Sequence, residues 1–166
     1  MVESISMAVK LSFETIYDPV LEKKVKGFEI VRLKTLVMFK HVGGDVEIRD
    51  GIVDTGAYVT LIPKSIWKNL EIEKITEHEI TGLSIKPECA IPVIIGKTCC
   101  SLIDENGGTT GELKFHSYLA LTDKVPLIIG FKDLLSKFKV CFNYENNKAY
   151  IEVPEKIKRG NKNVKK

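Results

Sequence analysis

The residues of this chain best suited to chemistry are Asp54, Thr55 and Gly56, set within RDGIVDTGAYVTLIP over residues 49–63. A carboxylate among apolar neighbours is costly unless it is hydrogen-bonded or placed for use. Here Ile52 and Val53 precede Asp54, and Val59, Leu61 and Ile62 follow it. One reading is a local Asp-x-Gly turn whose carboxylate bonds its own loop amides. The other is a general acid or base at a strand end, with Gly56 permitting close approach of another backbone. Three histidines (His41, His78, His116) lie far apart, and four cysteines (Cys89, Cys99, Cys100, Cys141) form no C-x-x-C pair. No zinc site is legible, and no cofactor or metal is expected.

The segments that must hold such a group read mostly as strands. Residues 7–17 alternate apolar with polar, with Val9, Leu11, Phe13 and Ile16 near one face, the period of a half-buried strand. Residues 28–41 and 45–53 flank Gly43-Gly44, a hairpin signal. Further strands fit 91–95, 98–103, 113–121, 127–129 and 138–153, the last turning at Asn146-Asn147. Tyr17-Asp18-Pro19 and Asp104–Gly108 read as turns. Residues 63–70 read as a short helix with Pro63 at its first position, and 132–138 as another with Leu134, Leu135 and Phe138 on one side. Adjacent Cys99 and Cys100 should face opposite ways on a strand, and Trp67 should belong to the core. The sum is an all-β domain, a small closed or folded-over sheet with one or two short helices.

Two motifs in order then carry a resemblance. The stretch from Gly51 to Pro63, with Asp54-Thr55-Gly56-Ala57 at its centre, resembles the active-site segment of the retropepsin-like aspartic proteases, single-domain relatives of the retroviral enzymes. Leu127-Ile128-Ile129-Gly130, followed by Asp133-Leu134-Leu135, looks like their second signature. The resemblance covers residues 28–153, nearly all of a domain set at 26–153 behind an N-terminal strand extension (1–25) and ahead of a basic tail (154–166). It implies a closed acid-protease β-barrel with Gly130 packed behind the Asp54 loop. It also implies a hairpin over the cleft between residues 77 and 96. Ala57 and the hairpin tip at Thr81, Gly82 and Leu83 would touch substrate. Pro87 and Pro92 fit poorly inside a regular hairpin, so 81–90 reads equally well as an ordinary loop.

Peptide hydrolysis by this chemistry needs two carboxylates sharing a proton around one water. The chain has a single Asp-Thr-Gly. The resemblance therefore implies a homodimer with one Asp54 from each subunit, Thr55 and Gly56 orienting the pair, and a peptide or protein as substrate. Ala57 stands where other aspartic proteases carry Ser, which removes a hydroxyl donor and implies a pH optimum nearer neutral than strongly acidic. Retroviral members carry an acidic residue near Tyr58 or Val59 and an Arg at the place of Phe131, an ion pair that braces their dimer. Here any dimer must rest on apolar packing or terminal strands. The competing expectation is a catalytically silent module that keeps the fold for dimerisation or peptide binding.

Composition bounds the rest. The 166 residues suffice for one domain with a real core, and 44% hydrophobic with 28% charged residues is a globular balance. The tail carries a net +5 against +3 for the whole chain, which puts the body at −2. With no aromatic residues interleaved, that tail reads as a solvated end, and nucleic acid is not expected as a partner. No apolar run is long enough for a membrane span and the first residues lack a signal-peptide pattern, so the expectation is a cytoplasmic protein with reduced thiols.

Overall fold

The computed structural model describes residues 7–81 and 90–154. The alternating N-terminal segment forms two strands, β1 (Ala8–Lys10) and β2 (Ser12–Ile16), separated at Leu11. Val9 and Leu11 are both buried, and the Leu11 amide donates to the Ala149 carbonyl at 2.9 Å. The chain changes partners at that residue: β1 pairs with β11 and β2 with β3. Tyr17-Asp18-Pro19 is no mere turn. Asp18 caps a helix, α1 (Pro19–Lys24), accepting from the amides of Val20 and Leu21, with Pro19 in the first turn where a missing N–H costs nothing.

The expected hairpin is present as β3 (Ile30–Lys40) and β4 (Val46–Val53), in register from Lys34↔Ile52 to Lys40↔Val46. After β5 (Thr60–Ile62), the helix expected over 63–70 is a single turn, α2 (Lys64–Trp67), with Pro63 just before it at the N-cap rather than inside. Strand β6 (Glu73–Ile80) was not legible as a separate strand because most of its positions are polar, as suits an exposed sheet edge. Residues 91–95 and 98–103, expected as two strands, are one, β7 (Ile91–Ile103). Gly96 is no break there: a Cβ on it would lie 3.0 Å from Leu119 Cδ1 and 3.2 Å from the Glu73 carbonyl, so it permits close approach of neighbouring strands. Then come β8 (Leu113–Ala120), β9 (Ile128–Ile129), a turn ending in a 3₁₀ segment (Leu135–Lys137) where a longer helix was expected, and the final hairpin of β10 (Lys139–Asn143) and β11 (Lys148–Glu152). In the turn of that hairpin, Asn147 takes a positive φ of 49°.

The large sheet runs β2-β3-β4-β9-β5-β8-β7-β6, and β3 pairs also with β7 through Leu36↔Ile103, Val37↔Leu102 and Met38↔Ser101. The pairings thus return to β3. A second sheet, β1-β11-β10, lies apart in hydrogen bonding. The main core gathers Val37, Phe39, Ile62, Leu102, Phe115, Leu119, Ile129, Leu134 and Ile151, all at most 1% exposed. Each large apolar side chain so buried contributes about 1.5–3 kcal/mol. Trp67 packs against this core only in part, and its indole N–H donates to the Ala120 carbonyl at 2.7 Å, tying α2 to β8. Cys100 is buried and Cys99 half-buried on opposite sides of β7, and burial pushes the Cys100 thiol far above its ordinary range. No helix among the described residues is long and apolar enough to cross a membrane.

Candidate active site

The Asp54 loop is built by three strands that meet behind it. Strand β4 runs parallel to β9 with Ile52↔Ile128 and Val53↔Ile129 in register, and the Asp54 amide continues the ladder to the Ile129 carbonyl at 3.0 Å. Strand β5 leaves the loop and pairs with β9 at Leu61↔Ile128 and with β8 from Thr60↔Ser117 to Ile62↔Leu119. Between them the chain turns, the Ala57 amide donating to the Asp54 carbonyl at 3.2 Å. Apolar strands on both sides fix the loop's ends, while Asp54, Thr55 and Gly56 themselves remain exposed.

The Gly56 amide donates to Asp54 Oδ1 at 2.8 Å. Among the described residues that is the carboxylate's one hydrogen bond, so it is oriented but keeps open acceptor positions. Gly130 lies directly behind. A Cβ there would fall 2.5 Å from the Val59 carbonyl carbon and 2.8 Å from the Thr60 nitrogen, contacts that only glycine avoids. The Gly130 amide donates to Thr60 Oγ1 at 3.0 Å, and the amides of Phe131 and Lys132 donate to the carbonyls of Ala57 and Tyr58 at 2.8 and 2.9 Å. The second signature thus braces the first, Ile129 through the Asp54 amide and Gly130 through close contact with the loop's exit at Val59–Thr60 rather than with Asp54 itself.

Beside the loop opens a cavity of about 330 Å³. Ala57, Tyr58 and Val59 form one wall, Leu61, Tyr118 and Ile128 its apolar floor, and His78, Glu79, Ile80 and Thr81 the other wall. The floor is the exposed side of a second apolar cluster centred on Leu61, Val93, Ala120 and Val125. The His78 and Tyr118 rings stack with centroids 5.9 Å apart. The far wall is a hairpin: β6 and β7 stay paired down to Ile80↔Ile91, and Pro92 is tolerated opposite Glu79. Of the residues expected to touch substrate, Ala57 and Thr81 line this cavity; Gly82 and Leu83 lie outside the described residues, as do Pro87 and Cys89. Asp54, Thr55 and Gly56 precede the lining segment directly, and Gly130 supports it from behind.

Of the other lining residues, Tyr58, Val59, Leu61 and Ile128 lie within the two motifs without having been expected to touch substrate, and His78, Glu79, Ile80 and Tyr118 were not expected at the site. A signal existed in β8, where Leu113, Phe115, Ser117 and Leu119 face inward and an aromatic, Tyr118, falls in the outward phase. A larger cavity of about 740 Å³ lies at the opposite end of β4, near the Gly43-Gly44 turn. Its lysines and glutamates are largely engaged with one another, Lys40 with Glu112 at 3.3 Å and Lys114 with Glu73 at 3.0 Å. Among the described residues no three His, Cys, Asp or Glu side chains gather as a metal site. The sequence matches no protein-family model and no curated protein.

Proposed function

We propose that this chain is an aspartic endopeptidase of the retropepsin-like kind, acting as a homodimer in which Asp54 of each subunit supplies half of the acid pair. The observation that carries this reading is the exposed Asp54 carboxylate, oriented by the Gly56 amide at 2.8 Å, on a loop whose exit is braced by Gly130 and whose next residues, Ala57–Val59, wall a cavity. In the pair, the ionised carboxylate takes a proton from a water held between the two, and the protonated one donates to the carbonyl oxygen of the scissile peptide. The carbonyl carbon gains the hydroxyl; the carboxyl that took the water's proton then gives it to the peptide nitrogen while the other carboxylate takes back a hydroxyl proton, and the intermediate collapses to the carboxylic acid and the free amine. The run of strand pairings that returns to β3 supports the finer reading of a small closed acid-protease barrel. An extended peptide fits between the Asp54 loop and the β6–β7 hairpin, its side chains on the floor of Leu61, Tyr118 and Ile128.

A second reading, a silent dimerisation or peptide-binding module, is favoured by one observation. Tyr58, 87% exposed, and Phe131, 52% exposed, stand at or next to the places where the retroviral proteases that this chain resembles carry an ion pair, the acidic partner falling at Tyr58 or Val59. Such aromatic surface suits either an apolar dimer contact or simple peptide capture.

The test is cleavage of an unstructured polypeptide by purified protein, with and without a statine-type transition-state mimic, together with solution mass. The proteolytic reading expects a dimer and inhibited cleavage that vanishes in Asp54→Asn. A persistent monomer, or equal cleavage by Asp54→Asn, rejects it.

A further inference from the structure

We propose that Asp133, gripped by His116, is a positioning residue for the Asp54 loop, a role that rests on the proteolytic reading given above. Asp133 is one of two described non-glycine residues with positive φ, at 63°, a backbone state uncommon outside glycine that Asp and Asn reach more readily than other residues and that the surroundings enforce here. The enforcement comes from strand β8. The His116 backbone amide donates to Asp133 Oδ2 at 3.2 Å, and the His116 ring donates to the same oxygen through Nδ1 at 2.5 Å. Hydrogen bonding from the imidazole holds the Asp133 carboxyl below the ordinary carboxylate range, with its backbone contact adding to the effect against partial burial.

What this grip holds is the turn that carries the Asp54 loop. The turn's near end is fixed by Gly130 N–H on Thr60 Oγ1. Thr60 is in register with Ser117, the residue after His116. A closed circuit results: from Gly130 to Thr60, across to β8, from His116 to Asp133, and back along the turn. Within it lie Phe131 and Lys132, whose amides hold the carbonyls of Ala57 and Tyr58. Releasing Asp133 removes the turn's side-chain tie to β8, leaving its far end held by the Leu135 and Ser136 amides on the Gly130 and Phe131 carbonyls, and so loosens the two bonds that set the loop's exit. The charged groups around the pair are Lys132 on the turn, Lys114 on β8, Lys97 on β7 opposite His116, and Glu73 on β6. Glu73 bonds Lys114 and approaches Lys97, so Asp133 is the carboxylate left for the imidazole.

The positive φ supplies a clean test, because Gly and Asn both accept it. Asp133→Gly removes the acceptor without adding backbone strain, and Asp133→Asn retains an acceptor. In the full chain, Asp133→Gly is expected to speed hydrogen exchange at the Phe131 and Lys132 amides about tenfold while Leu102 and Leu119 keep their protection, as local opening requires. Against an unstructured polypeptide its kcat should fall about tenfold at unchanged KM, the pattern of a misplaced catalytic group. Asp133→Asn should recover most of both. Unchanged exchange at Phe131 and Lys132 in Asp133→Gly overturns the proposal, as does acceleration spread evenly over the core strands, or faster exchange with kcat intact. If the wild type cleaves nothing, the proteolytic reading fails, and the catalytic role of Asp133 fails with it, whatever the exchange measurement says about the turn.

Discussion

Two aspartates close apolar strands in this molecule, and their surroundings treat them oppositely. Asp104 follows β7 and turns its carboxylate inward, accepting from the amides of Lys10 at 2.7 Å and of Asn106 and Gly108 at 2.8 Å each. Asp54 follows β4 and, among the described residues, accepts from one amide, that of Gly56, on an exposed side chain. Both sit in glycine-containing turns. The difference teaches that the number of amides aimed at a carboxylate, rather than the turn that presents it, separates a structural Asp from one free to move protons. Asp104 spends its lone pairs on fastening β1 to the β7–β8 turn, and Asp54 keeps its own.

On the proteolytic reading proposed above, the largest expected effect breaks this contrast at Asp54. Asp54→Asn should lower kcat for polypeptide cleavage by about 10⁴-fold. Because the side chain is exposed and makes a single bond that Asn can also accept, the urea midpoint should stay within error of wild type. Asp104→Asn should do the reverse, leaving cleavage per folded molecule intact. Paired activity assays and urea titrations on the two variants decide it, and retained cleavage in Asp54→Asn would assign the chemistry to another group.

The next effect concerns the brace. Gly130→Ala places a methyl carbon 2.5–2.8 Å from the backbone of Val59 and Thr60, atoms that cannot swing aside as a side chain could. Overpacking against backbone should cost about 3 kcal/mol and displace the loop's exit, so urea unfolding and kcat should both fall. A Gly130→Ala protein of wild-type stability would mean that Gly130 does not approach the Val59–Thr60 backbone so closely.

Much of this was legible in the sequence, and the failures have physical reasons. The β3–β4 hairpin, the Asp54 turn and the final hairpin follow from alternation and turn residues, which act locally. The split at Leu11 could not be read, because Val9, Leu11 and Phe13 alternate without interruption and only the competition between β11 and β3 for partners divides them. Strand β6 escaped because an edge strand carries little apolar signal. The α1 helix was missed although Asp18-Pro19 is a capping pair, its six residues leaving no apolar period to notice. At the site, Asp54 and Gly130 were legible from their motifs, whereas Tyr118, Ile80 and Ile128 converge on the cavity only through pairing across four strands.

A smaller effect sharpens the structural end of the contrast. Asp104→Ala leaves the Lys10, Asn106 and Gly108 amides to water and should cost about 1–2 kcal/mol in urea unfolding, since hydrogen bonds to a charged acceptor exceed neutral ones but these donors are partly solvated. The loss should concentrate where Asp104 fastens the chain. Amides of β1 and the neighbouring part of β11 should gain exchange, while the Asp54 loop, to which the Asp104 carboxylate makes no hydrogen bond among the described residues, should not. Equal loosening at both would erase the division between the two aspartates.

The smallest effect is in acid. Burial alone would raise the Asp104 carboxyl, but the amides of Lys10, Gly108 and Asn106 outweigh it and hold the group below its ordinary value near 3.8. A carboxyl depressed on folding contributes stability that is complete above the unfolded value and is lost as pH falls through the folded one, because there the unfolded chain binds the proton first. Urea midpoints measured from pH 5 downward should therefore decline below about pH 4, with Asp133, depressed by the His116 ring, contributing in the same direction. Asp104→Asn keeps one carbonyl oxygen, which can accept from Asn106 and Gly108 but not also from Lys10, and it cannot take up a proton, so its acid slope should be shallower by up to about one proton. An unchanged slope would mean that the amides do not favour the charged carboxylate, and Asp104 would then be held no more firmly than Asp54.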